Sequence, residues 1–165
     1  IVAAERALSL FQRMKELYHA GNDDLQPDTM CYTTVISALA RSGHPSATQK
    51  AEELLREMQA SKLPNVRPNC FTFTSVISAF AKSDDPRAAE RADHYLNVMK
   101  KLATDGQTDC APNSFTYTAV MNAWRKRSHP DSGRRVRELR KELDRLSSKG
   151  TRKRRKHETR QSQVS

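Results

Sequence analysis

Nothing in this chain offers a membrane a span or a metal a paired cage. No apolar run approaches the roughly 20 residues that a membrane-crossing helix needs. Apolar residues make up only 36% of 165, which is low for one compact globule. There are three cysteines, an odd number. Cys31, Cys70 and Cys110 lie far apart, without the C-x2-C spacing of a structural zinc site. They read as small, semi-buried thiols of a reducing compartment. His19, His44, His94, His129 and His157 are scattered, and no H-x-E with P-C-x-x-C is present. Asp23-Asp24 and Asp84-Asp85 are distant pairs, whereas a metal-dependent nuclease gathers several carboxylates at one point. No catalytic residue, metal site or cofactor is expected. Glycine and proline are few, at 5 and 7, and most prolines separate stretches of helical periodicity.

What the chain does have is self-similarity. Pro27, Pro68 and Pro112 step by 41 and then 44 residues. The aromatics Tyr32, Phe73 and Tyr117, each five residues after its proline, keep the same steps, as do Ala38, Ala79 and Ala123. Met14, Met58 and Met99 step by 44 and then 41. Such periods signal a stacked array in which each unit buries its apolar face on its neighbours.

Each unit reads as two helices. In residues 29–69, Tyr32, Val35, Ile36 and Leu39 form an i, i+3, i+4, i+7 stripe. Ser42-Gly43 and Pro45 break it, and Ala51, Leu54, Leu55 and Met58 form a second stripe. Residues 70–113 repeat the plan with Phe73, Val76, Ile77 and Phe80, then Ala92, Tyr95, Leu96 and Met99. Residues 114–149 begin likewise with Tyr117, Val120, Met121 and Trp124. They continue with a thin seam of Val136, Leu139, Leu143 and Leu146 among arginines. Residues 1–28 hold a second helix alone, so a truncated repeat is expected there. The predicted class is an all-α, right-handed superhelical solenoid of helix-turn-helix repeats.

The net charge of +10 is concentrated at one end. Residues 125–160 carry +11 and residues 1–124 carry −1. Residues 150–165 are nearly free of apolar side chains, and Arg152–Lys156 is an unbroken basic run, so a disordered basic tail is expected.

The pattern resembles the pentatricopeptide repeat family. The resemblance rests on Pro27-Asp28 with Tyr32-Thr33-Thr34-Val35-Ile36-Ser37-Ala38, then Ala51, Leu54-Leu55 and Met58. It recurs in Pro68-Asn69 with Phe73-Thr74-Ser75-Val76-Ile77-Ser78-Ala79, and in Pro112-Asn113 with Tyr117-Thr118-Ala119-Val120-Met121-Asn122-Ala123. The tetratricopeptide pattern of Trp, Leu-Gly and Tyr at a rigid period is absent. The resemblance implies single-stranded RNA binding with one base per repeat. It puts the base readers just after the first-helix aromatic, at Thr33, Thr74 and Thr118, and just after the closing proline, at Asp28, Asn69 and Asn113. Thr33 with Asn69 and Thr74 with Asn113 resemble adenine-preferring pairs, and Asp28 goes with uracil or guanine. The implied core is therefore U/G-A-A. Met30, Phe71 and Phe115 resemble the apolar side chains that flank a base. The resemblance further implies a mitochondrial or chloroplast setting, a role in RNA processing, stability or translation, and other RNA-processing proteins as partners.

The residues also allow plainer readings. Asn and Asp after proline are ordinary helix caps, and the exposed-or-packed status of Met30, Phe71 and Phe115 is open. Arg125, Lys126 and Arg127, at the end of a base-reading helix, are candidates for phosphate contact. The rival function is a protein-binding scaffold in the manner of tetratricopeptide arrays, with a non-specific basic tail. The near-neutral repeats favour it; the reuse of Thr and Asn at the reader places speaks against it.

Overall fold

The computed structural model describes residues 2–44, 46–126 and 130–161, with side chains described as far as Ser148. Among these residues there are seven α-helices and no strand: α1 (Val2–His19), α2 (Thr29–Ser42), α3 (Ala47–Ala60), α4 (Cys70–Lys82), α5 (Ala88–Thr104), α6 (Ser114–Arg125) and α7 (Ser132–Gln161). No described helix is long and apolar enough to cross a membrane.

The even-numbered helices start the same way each time. Asp28, Asn69 and Asn113 are the N-caps, each with extended backbone after its proline. A cap side chain satisfies amide donors that the first turn leaves orphaned. Asn69 and Asn113 form full capping boxes with Thr72 and Thr116. Helix α2 stops at Gly43, whose φ of 65° is left-handed. A Cβ there would meet nothing, so glycine is required by the backbone and not by space.

The apolar stripes meet in one continuous core. Ile36, Leu55, Met58, Phe73, Val76, Ile77, Phe80, Leu96, Met99, Met121 and Leu139 are among its fully buried members. Each contributes about 1.5–3 kcal/mol of transfer free energy. The all-α solenoid expected from the periodicity is what forms, with α2, α4 and α6 each packing on their neighbours of the same kind and on the odd-numbered helices beside them.

The odd-numbered helices behave differently. They touch one another through long side chains rather than by close backbone packing. Closer spacing on the even-helix side than on the odd-helix side bends the array, and the even helices form the inner, concave layer.

Two kinds of ionic rung bridge the outer layer. Arg91 on α5 donates to Glu52 on α3, and Arg135 on α7 grips Asp93 on α5 through Nε and Nη2 at 2.6 and 2.7 Å. Further along, Lys15 on α1 reaches Glu57 on α3 at 2.9 Å, and Lys100 on α5 reaches Glu142 on α7 at 2.5 Å. The second kind is tied to the inner layer: Tyr32 donates to Glu57 at 2.5 Å and Tyr117 to Glu142 at 3.3 Å. The middle repeat has Phe73 where these have tyrosine, and Val98 where these have the acid. Its rung is instead completed by Tyr95, which donates to Glu52 at 2.8 Å. Hydroxyl and carboxylate are kept or lost together.

The backbone of α7 continues as helix through Gln161, across Arg152–Lys156. Lys, Arg and Gln are good helix formers, no proline follows Pro130, and like charges one turn apart cost only tenths of a kcal/mol per pair.

Candidate nucleic-acid interface

The concave surface is a row of first-helix N-termini, and the six reader residues named from the sequence fall along it. A cleft of about 630 Å³ lies between the start of α2 and the start of α4, lined among others by Asp28, Met30, Thr33, Arg41, Asn69 and Phe71. A second, of about 410 Å³, lies between α4 and α6 and includes Phe71, Thr74, Lys82, Asn113 and Phe115. Thr33 and Asn69 thus share the first cleft, Thr74 and Asn113 share the second, and Phe71 walls both.

The apolar flanking residues are not packed between repeats. Met30, Phe71 and Phe115 are 74%, 71% and 75% exposed, although each sits two residues before a buried aromatic. Scattered exposed apolar residues are ordinary, but one per repeat at the same helix position is not. The spacing puts an apolar wall on each side of a cleft.

Between the walls, each closing residue is held with one edge inward. Asn69 Oδ1 accepts from Thr72 N and Oγ1, both at 3.1 Å. Asn113 Oδ1 accepts from Phe115 N, Thr116 N and Thr116 Oγ1 at 3.0, 3.1 and 3.2 Å. Only an oxygen can serve there, so capping fixes which way the amide points. The Nδ2 donors have no partner among the described residues. Asp28 caps through Oδ1, which accepts from Cys31 N at 2.8 Å. That bond, first among the causes, holds its carboxyl below the usual range. The same cap position therefore leaves a donor outward at 69 and 113, and an acceptor outward at 28. Cap and reader are compatible roles of one side chain.

Thr33 stands one step off the apolar stripe, where a hydroxyl could face a groove freely, yet the threonines at this place in the first two repeats are engaged by the next repeat. Thr33 Oγ1 lies 2.8 Å from Thr72 Oγ1 of the next repeat, and Thr74 Oγ1 lies 2.8 Å from Thr116 Oγ1. Thr118, with no further first helix after α6 among the described residues, donates back to Ser114 O at 2.8 Å. Of the phosphate candidates, Lys126 is engaged by the previous repeat. Its Nζ donates to Lys82 O and Ser83 O at 2.6 and 3.0 Å and pairs with Asp84 at 3.1 Å. Arg125 is exposed. Arg127 lies outside the described residues.

Sequence reasoning missed two cations. Arg41 and Lys82 border the clefts, at the last turns of α2 and α4, with no side-chain partner among the described residues. They share the steps of 41 and 44 with Lys126, so the period that located the readers would have located them. Cations at a helix C-terminus also complement its dipole, and this local reason conceals the pattern. The thiols match the structural reading. Cys110 is buried and Cys31 and Cys70 half-buried, with burial pushing the Cys31 and Cys110 thiols up. Among the described residues no cluster of His, Cys, Asp and Glu could hold a metal.

A solenoid of helix pairs whose inner face repeats one cleft per pair, with the same residue types at the same places, defines a modular α-repeat protein. The sequence model of the PPR repeat family matches residues 27–82, spanning α2, α3 and α4. The match supports a helical-repeat protein of the pentatricopeptide kind, a family that generally binds RNA. No curated protein matches it.

Proposed function

We propose that the concave face binds single-stranded RNA and reads one base in each cleft. The observation that carries this reading is the periodic pairing of an exposed apolar wall with a capped, outward-facing polar edge. A splayed base offers a flat face to stack and a Watson–Crick edge to read, and single-stranded recognition uses both. At the position that Asn69 and Asn113 would face, adenine and cytosine offer an acceptor (N1 or N3), while guanine and uracil offer an N–H donor. An outward Nδ2 suits the first pair of bases; the outward oxygen of Asp28 suits the second. The pairing of Thr with Asn resembles the family's adenine combination, which gives U/G-A-A along the chain. Arg41 and Lys82, which border the clefts, would then meet the phosphates of such an RNA.

The role is binding rather than chemistry: sequestering or marking a transcript for processing, protection or translation. An organellar transcript is the proposed target, on the strength of the family resemblance alone. The test is fluorescence anisotropy with short RNAs that vary one base at a time. The expected result is tighter binding of adenine than of uracil at both Asn-lined clefts. Equal binding of all sequences would contradict the reading and favour a protein scaffold.

A further inference from the structure

Thr72 and Thr116 are the only fully buried threonines among the described residues, at 0% exposure, yet each touches the polar machinery of a cleft. Thr72 Oγ1 accepts from Asn69 N at 3.3 Å, contacts Asn69 Oδ1 at 3.1 Å and contacts Thr33 Oγ1 at 2.8 Å. Thr116 repeats all three with Asn113 N at 3.3 Å, Asn113 Oδ1 at 3.2 Å and Thr74 Oγ1 at 2.8 Å. In each case one hydroxyl joins two readers that belong to different repeats. Capping alone explains the contacts to Asn; it gives no reason for the third contact across the repeat boundary.

We propose that Thr72 and Thr116 are positioning residues that couple the two readers of each cleft. A threonine hydroxyl has one proton and two lone pairs. When the Thr72 proton points at Asn69 Oδ1, Thr33 must donate inward and turns its lone pairs to the cleft. Turning that proton to Thr33 instead gives up the bond to Asn69 Oδ1 and releases the proton of Thr33 to the cleft. The amide orientation of Asn69 is unchanged in both states, because Thr72 N holds Oδ1 throughout. The Asn is therefore the fixed discriminator and the Thr an adaptable one, and the buried hydroxyl keeps their spacing constant. Partnered networks in a low-dielectric setting are more rigid than their separate bonds. The chain carries its own contrast: Cys31 occupies the corresponding place behind Asp28, with a thiol that is a weak donor and weak acceptor.

This inference rests on the RNA-reading proposal above, and its test separates the two. Anisotropy titrations of the whole chain use RNAs differing only at the base facing the first or the second cleft. Wild type is compared with Thr72→Val, Thr116→Val, Thr72→Ser and Thr72→Cys, the last placing at 72 the residue the chain itself tolerates at 31. Helicity is checked for each, so that the milder Thr72→Cys decides if Thr72→Val does not fold. The expected result is an about tenfold smaller adenine-over-uracil ratio at the first cleft in Thr72→Val. Thr72→Cys follows it in direction, the second cleft is unaffected, and Thr72→Ser restores the ratio. Thr116→Val gives the converse pattern. Weaker binding of every RNA by one common factor, with the base ratio kept, would overturn the coupling and leave the RNA reading standing. A wild type without base preference would overturn both.

Discussion

Phe71 and Phe73 stand two residues apart on one helix, and truncating each to alanine should have opposite consequences. Phe73 is 0% exposed and belongs to the core, so Phe73→Ala is expected to cost about 3–5 kcal/mol. For a chain of this length that lowers the melting temperature by on the order of 10 °C. Phe71 is 71% exposed and has little contact area to lose. Alanine is also the better helix former, so Phe71→Ala should leave stability within about 0.5 kcal/mol of wild type. Its effect appears when RNA is present. Stacking of a base on an aromatic side chain contributes about 1–3 kcal/mol, or roughly a tenfold to hundredfold change in Kd. Because Phe71 walls both clefts, the upper part of that range is expected. Thermal denaturation followed by circular dichroism, alongside anisotropy with an adenine-rich RNA, measures both quantities. A Phe71→Ala protein that melts as early as Phe73→Ala, or that keeps wild-type affinity, would refute the reasoning.

Three further outcomes follow from the same geometry. Burial, then the charge of Glu142, pushes the Tyr117 phenol up to about 12, and burial with Glu57 and Glu52 raises Tyr32 and Tyr95 further. A raised phenol pKa means that the fold holds the proton more tightly than the unfolded chain. This stability is complete below pH 10, the ordinary value, and is lost as pH rises through the folded values; phenolate absorbance reaching completion near pH 10 with helicity intact would contradict it. Asp93→Ala removes the bidentate partner of Arg135, both only 15–20% exposed, and should cost about 1–3 kcal/mol in a denaturant titration. Arg135→Met should recover part of that loss in the double variant. Finally, Arg41→Gln and Lys82→Gln should each weaken all RNAs alike and flatten the plot of log affinity against log salt by about one unit of slope. A change of base preference would place them at the bases instead.

Much of the architecture could be read from the chain, because a helical repeat announces itself three times. The stripe from Tyr32 to Leu39 recurs at Phe73 and Tyr117, the prolines mark the same boundary each time, and glycine at 43 ends a helix where the stripe ends. Local rules and long-range packing agree here, and periodicity alone sufficed. The clefts were legible as positions but not as bonds. Thr33 is one step off the apolar stripe, which suggests a free hydroxyl; its contact with Thr72 depends on how closely two first helices approach, which no single-repeat pattern encodes. The outer rungs escaped for the same reason. Glu52, Asp93, Arg91 and Arg135 are unremarkable in composition until neighbouring repeats align them. Lys126 looked available from its place at a helix end, and only the carbonyls of Lys82 and Ser83 in the preceding repeat explain its engagement. At the chain's end, charge alone argues for disorder in the basic run, whereas the helix propensity of Lys, Arg and Gln argues the other way.

The most direct measurement is the base preference of the first cleft before and after Asn69→Asp. Aspartate caps a helix as well as asparagine does, so Thr72 N keeps its partner and the fold is preserved. Only the outward edge changes, from an N–H donor to a carboxylate oxygen. The account predicts that anisotropy with RNAs varied at that one position will find the preference moved from adenine to uracil or guanine. The melting temperature and the preference of the second cleft should stay as they were. An unchanged preference in a stably folded Asn69→Asp protein would contradict the claim that the capped residues read bases.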